Sequence, residues 1–91
     1  MVEHYKIVIL KSAQKDKEKI KMYPSLKRNV DNLLEILKKN PFQNPPPYEK
    51  LKGSLEDFYS RRINVQHRLV YRVLIKEKTI MIVSMWSHYE F

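Results

Sequence analysis

Cysteine is absent from these 91 residues, glycine occurs once, and acidic residues are scarce. Without cysteine there can be no disulfide, no thiolate metal site and no cysteine nucleophile. No apolar run comes near the roughly 20 residues that cross a bilayer. The opening stretch Met1–Leu10 has a short apolar run, broken by Lys6 and preceded by Glu3 and His4 rather than by basic residues. It therefore does not read as a signal peptide, and a soluble, cytoplasmic protein with no membrane contact is expected. The three histidines (His4, His67 and His88) show no ligand spacing and have no cysteine to assist them, so neither a metal nor another cofactor is expected.

The shortage of acid leaves 18 Lys plus Arg against 10 Asp plus Glu, a formal charge of +8. An excess of this kind favours a polyanionic partner, because cations that neutralise phosphates release condensed counterions. A chain of this length forms one domain with a single core and modest stability, leaving no room for a regulatory module. Regulation is therefore expected to come from another protein.

Tyr5–Leu10 reads as a short buried strand. Ser12 is placed to cap a helix over Ala13–Met22, a segment polar nearly all round with Ile20 and Met22 as its anchors. Its charges read as a solvated face. Pro24 suits the first turn of a second helix, whose Leu26, Val30, Leu33, Leu34 and Leu37 recur at helical spacing until Asn40-Pro41 ends it. Four prolines between Pro41 and Pro47 make a stiff, extended connector. The remainder reads as four strands, Glu49–Leu55, Phe58–Ile63, His67–Ile75 and Thr79–Trp86. Turns fall at Asn64–Gln66 and Lys76–Lys78, and Gly53 marks a bulge or close backbone approach. The order β-α-α-β-β-β-β implies an α+β fold, with two N-terminal helices on one face of a mostly antiparallel sheet of four to five strands.

The segment from Tyr59 to Arg72 holds four of the five arginines. If Asn64–Gln66 form a three-residue turn, Arg62 lies opposite Arg68. Like charges facing each other across a strand pair are destabilising and call for an anion, and phosphate matches the planar donors of guanidinium. Pairing with Glu49, Glu56 or Asp57 is the plainer alternative. A carboxylate of this kind can also hold an arginine while substrate is absent. His67 is expected on the opposite sheet face in a structural role, and Tyr71 and Trp86 in the core.

Four elements occur in order: Glu49-Lys50-Leu51-Lys52, Phe58-Tyr59-Ser60-Arg61-Arg62-Ile63, His67-Arg68-Leu69-Val70-Tyr71 and His88-Tyr89. Together they resemble the YoeB branch of the RelE mRNA-interferase superfamily over residues 48–91, with Asn40-Pro41-Phe42 similar to that family's Thr-Pro-Phe. Tyr59 stands where the family has Trp, and Glu90-Phe91 extend the chain past His88-Tyr89. The resemblance implies a single RelE-like toxin domain over residues 1–91. It implies an endoribonuclease that cuts mRNA on the ribosome, with Glu49 as general base and His88 as general acid. Arg68 would stabilise the phosphate, with Tyr89 also in the catalytic group. Lys52, Arg61, Arg62 and Tyr59 would bind substrate, Tyr59 by stacking on an unpaired base. The chemistry is coherent without metal, since attack by a ribose 2′-hydroxyl needs a base, an acid for the departing 5′-oxygen and a cation for the phosphoryl oxygens.

The resemblance also implies an acidic antitoxin whose disordered tail folds over the site, and a homodimer is compatible with it. Two other classes stay open at this level. One is a toxin resembling ParE, which shares the superfamily fold and poisons DNA gyrase without catalysis. The other is a generic basic RNA-binding module. A pure binding protein has no use for an acid–base pair, which favours the nuclease.

Overall fold

A computed structural model of the chain describes residues 4–51 and 57–86. Among these residues the order is β1 (Lys6–Ile9), α1 (Lys11–Ile20), α2 (Pro24–Lys39), β2 (Tyr48–Lys50), β3 (Phe58–Arg62), β4 (Arg68–Leu74) and β5 (Thr79–Ser84). The five strands form one sheet in the spatial order β1-β5-β4-β3-β2. Only the β1–β5 pair is parallel; the other three neighbours are antiparallel. The expected α+β architecture is the observed one. Neither helix of the described residues is long and apolar enough to cross a membrane.

The core follows from two periodicities. Along α2, Leu26, Val30, Leu33 and Leu37 are buried and Leu34 half-buried, the stripe that a 3.6-residue repeat produces. Along the sheet, Leu69, Tyr71 and Val73 of β4 alternate inward, as do Ile80 and Ile82 of β5, and join the same cluster. Each such side chain contributes about 1.5–3 kcal/mol by leaving water. Pro24 is the first residue of α2, where its missing N–H is no loss.

The first helix departs from its expected boundaries. It starts at Lys11 with Leu10 at the N-cap position, and no side chain caps it. Ser12 therefore lies inside the helix, where its hydroxyl donates to the carbonyl of Val83 (2.9 Å). Met22 is not an anchor: the helix has already ended, the Tyr23 N–H bonds to the Ile20 carbonyl, and Met22 stands 76 % exposed. Ile20 is buried as expected, and Ala13 joins it on the buried face. Nor is every charge on α1 solvated. Asp16 accepts hydrogen bonds from the Met85 backbone N–H (3.1 Å) and the Ser84 hydroxyl (3.4 Å). Ser12 and Asp16 thereby tie α1 to the end of β5.

Strand β2 is shorter than expected, three residues against seven, and the part of that expectation at residues 52–55, including the Gly53 bulge, lies outside the described residues. What positions β2 is the segment before it. The Arg61 side chain, 1 % exposed, donates from Nη2 to the carbonyls of Pro41 (3.0 Å) and Gln43 (2.9 Å) and from Nη1 to that of Pro46 (2.6 Å). Its Nε donates to the Tyr71 hydroxyl (3.0 Å), and its plane lies over the Tyr48 ring at 4.9 Å. A proline-rich segment offers carbonyls but few N–H donors, so a guanidinium with several N–H groups is a suitable centre for it. Phe42, Tyr48, Tyr59 and Tyr71 pack around this centre, each ring 5.5–6.1 Å from its neighbour.

Two predictions follow from this packing. Arg61→Lys keeps the charge but cannot reach four acceptors at once. It should cost about 3 kcal/mol or more, because it leaves buried carbonyls and the Tyr71 hydroxyl unpaired. In a domain of this size that lowers Tm by on the order of 10–20 °C, and a thermal melt within a few degrees of the parent would show that the loop does not depend on Arg61.

The second concerns Tyr71. Burial pushes its phenol from 10.0 up to about 12, with Arg61 acting in the opposite direction through its charge and its hydrogen bond. The unfolded chain releases this proton near 10 and the folded chain near 12. The associated stability is therefore complete below pH 10 and is lost as pH rises towards 12. Urea midpoints across this range, with tyrosinate absorbance read in parallel, should show one late-titrating tyrosine that disappears in Tyr71→Phe.

Candidate active site

Side chains alternate along a strand, and partners across a ladder share a face. Glu49 pairs with Ser60, Ser60 with Val70, and Arg62 with Arg68. Glu49, Ser60, Arg62 and Arg68 therefore lie on one face of the sheet, while Tyr48, Tyr59, Arg61, Leu69 and Tyr71 lie on the other. On the first face a cleft of about 230 Å³ opens at the β2 edge, lined by Pro47, Tyr48, Glu49, Ser60, Arg62 and Arg68.

The turn behind these arginines is built as the sequence indicated. The Asn64 side-chain oxygen accepts from the N–H groups of Gln66 (2.8 Å) and His67 (2.6 Å), and the Ile63 N–H bonds to the His67 carbonyl (2.8 Å). This short loop is what sets Arg62 directly across from Arg68. Arg68 reaches in the other direction as well, to Glu49 Oε1 at 3.8 Å from its Nη1. The pair is long, and the Glu49 side chain is 62 % exposed, so water screens it and it contributes well under 1 kcal/mol to stability. Such a pair holds Arg68 loosely. An incoming phosphate, with denser charge and matching geometry, can displace the carboxylate at little cost.

The candidate residues thus divide. Glu49, Arg62 and Arg68 are brought together. Arg61 is buried on the far face and engaged with the proline-rich loop, and Tyr59 sits in the aromatic cluster beneath that loop, so neither lines the cleft. Lys52, His88 and Tyr89, together with Glu90 and Phe91, lie outside the described residues. Arg72 leans over the Phe58 ring (5.9 Å), farther along β4 and away from the cleft lining. His67 has the structural setting expected of it. Its Nδ1–H donates to the Trp86 carbonyl, and the two rings lie 4.4 Å apart. Trp86 is half-buried and also meets Tyr23 at 5.6 Å. The residue the sequence reading passed over is Ser60, which forms the floor of the cleft in register with Glu49. Strand alternation from Arg62 was the signal that places it there.

Comparison with solved structures defines the class first. The fold is that of small bacterial toxins: it matches the YoeB/ParE toxin from Agrobacterium tumefaciens with a TM-score of 0.85 and 29 % identity, over 92 % of this chain and 99 % of that one. It also matches the YoeB-YefM complex from Staphylococcus aureus with a TM-score of 0.80 and 32 % identity, over 93 % of this chain and 98 % of that one. The curated Toxin YoeB of Synechocystis sp. is 35 % identical over 65 residues, 71 % of this chain and 73 % of that protein. Residues 11–89 match the model of the YoeB-like toxin of bacterial type II toxin-antitoxin system, and the chain belongs to that family.

The Arg62–Arg68 pairing yields a prediction independent of catalysis. Arg62→Gln removes a like-charge repulsion worth about 0.2–1 kcal/mol. The variant should melt at or slightly above the parental temperature while binding RNA more weakly and with a shallower salt dependence. A lower Tm with unchanged RNA affinity would mean that Arg62 serves the fold.

Proposed function

We propose that the chain is a metal-independent endoribonuclease that cleaves mRNA on the ribosome. The observation that carries this reading is the convergence of Glu49 and Arg68, from two strands that are not neighbours, at one cleft beside Arg62. A carboxylate and two guanidiniums around a small opening suit a phosphodiester whose neighbouring hydroxyl must lose a proton. In this mechanism Glu49 takes the proton from a ribose 2′-hydroxyl and the 2′-oxygen attacks the adjacent phosphorus. The bond to the 5′-oxygen breaks, leaving a 2′,3′-cyclic phosphate on one fragment. His88 protonates the departing 5′-oxygen, a role that suits an imidazole because it titrates near neutrality. Arg68 leaves Glu49 to meet the charge growing on the phosphoryl oxygens. Arg62 and Lys52 hold the flanking backbone, and Tyr89 supports the reacting group.

The partner follows from charge and from kinship. A formal charge of +8 suits an acidic protein, and the staphylococcal relative is solved as a complex with YefM. We extend that arrangement to this chain, whose counterpart would be an acidic antitoxin covering the cleft. A toxin that only bound gyrase would have no use for a carboxylate poised beside two arginines.

Glu49→Gln and His88→Gln should each slow cleavage by roughly 10²–10⁴-fold with the fold intact. Arg68→Ala should slow it by roughly 10²–10³-fold even at saturating enzyme, by analogy with loss of an oxyanion-hole donor. The measurement is single-turnover cleavage of ribosome-bound mRNA, with the magnesium that holds the ribosome together kept constant across variants. Folded Glu49→Gln protein that cuts at the parental rate, or cleavage products that lack a 2′,3′-cyclic phosphate, would sink the mechanism.

A further inference from the structure

The ion pair between Glu49 and Arg68 joins β2 to β4, two strands apart and so about 10 Å from backbone to backbone. It must pass over the strand between them. The β3 residue in register with Glu49 on that face is Ser60. Its side chain is 1 % exposed, it forms part of the cleft floor, and its hydroxyl has no hydrogen-bond partner among the described residues. A buried hydroxyl without a partner costs about 1–3 kcal/mol of desolvation. An alanine at this position would have the same reach without that cost. The hydroxyl is therefore a feature that the resting fold does not need.

We propose that Ser60 is a positioning residue for Glu49, its hydroxyl donating to the Glu49 carboxylate once the substrate phosphate has drawn Arg68 away. In the resting protein Arg68 is the partner that orients Glu49, at a separation too long for a hydrogen bond. When the arginine turns to phosphate, the exposed carboxylate has lost its only ion-pair partner among the described residues. Directly cross-strand residues have Cβ atoms about 4.5–5.5 Å apart, within reach of a hydroxyl rotor and a glutamate side chain. The serine then keeps the carboxylate aimed at the 2′-hydroxyl during proton transfer. This inference rests on the assignment of Glu49 as the base.

The test is a double-mutant cycle of Ser60→Ala with Glu49→Gln, read by single-turnover cleavage of ribosome-bound mRNA and by thermal melting. Ser60→Ala should melt at or above the parental temperature. Its rate at saturating enzyme should fall roughly ten- to a hundredfold, the worth of a hydrogen bond to a charged group. The half-saturating concentration should stay within about twofold. In the Glu49→Gln background, Ser60→Ala should cause no further loss. If Ser60→Ala cleaves at the parental rate while Glu49→Gln is slow, serine is present only for its size and the inference fails alone. If the two losses multiply, the hydroxyl acts on the RNA directly and the positioning role is wrong. If Glu49→Gln is itself fully active, the assignment of the base falls and the inference falls with it.

Discussion

A guanidinium buried, among the described residues, without a carboxylate is the constraint on which the rest of this structure turns. Arg61 is surrounded by three carbonyls, a phenol oxygen and an aromatic face. Charged hydrogen bonds of this kind are stronger than neutral ones, and breaking one side leaves several groups unpaired at once. The carbonyls belong to the segment that leads from α2 into β2. Fixing that segment fixes Pro47 and Tyr48 at the cleft wall and sets the start of the three-residue strand that carries Glu49. A strand so short has little pairing of its own to hold it at the sheet edge. The catalytic candidate is thus placed by a residue that never faces the cleft.

Arg61 and Arg62 are adjacent and chemically identical, yet a period of two sends one into the fold and the other into the site. The sequence reading grouped them as substrate ligands because composition and order do not reveal a face. Assigning Arg61 needed the knowledge that the proline-rich segment folds back beneath the sheet edge, a contact across 15–20 residues. Tyr59 likewise lies on the far face, among the rings that pack around Arg61. By contrast, the pairing of Arg62 with Arg68 was legible, since a three-residue turn fixes register locally and needs no tertiary knowledge. Helix α2 was equally legible, because Pro24, the leucine stripe and Asn40-Pro41 all agree on it. Helix α1 was not. Its Ser12 and Asp16 look like a cap and a solvated charge, and only the neighbouring end of β5 gives them other work.

The electrostatics of the cleft are set so that the resting state is weakly satisfied. Two arginines face each other, and one of them has a distant, solvent-screened carboxylate as its partner. Neither arrangement contributes much to stability, which the burial of α2 against the sheet supplies instead. Weak satisfaction has a physical use: an anion that enters displaces little and relieves a repulsion. A tight, buried Glu–Arg pair would have the opposite effect, since breaking it costs about 3–5 kcal/mol. The exposure of Glu49 is therefore consistent with a site that must exchange partners rather than keep them.

The chain that follows β5 is tied from two sides. Asp16 holds the Met85 N–H from the helix side, and His67 holds the Trp86 carbonyl from the residue just before β4. Asp16 accepts and His67 donates, so the Met85 N–H and the Trp86 carbonyl each have a side-chain partner. His67 is the residue immediately before Arg68, and alternation sends its ring to the far face while Arg68 enters the cleft. The sequence continues from Trp86 into Ser87-His88-Tyr89. A single dipeptide, His67-Arg68, therefore holds the Trp86 carbonyl with one side chain and lines the cleft with the other.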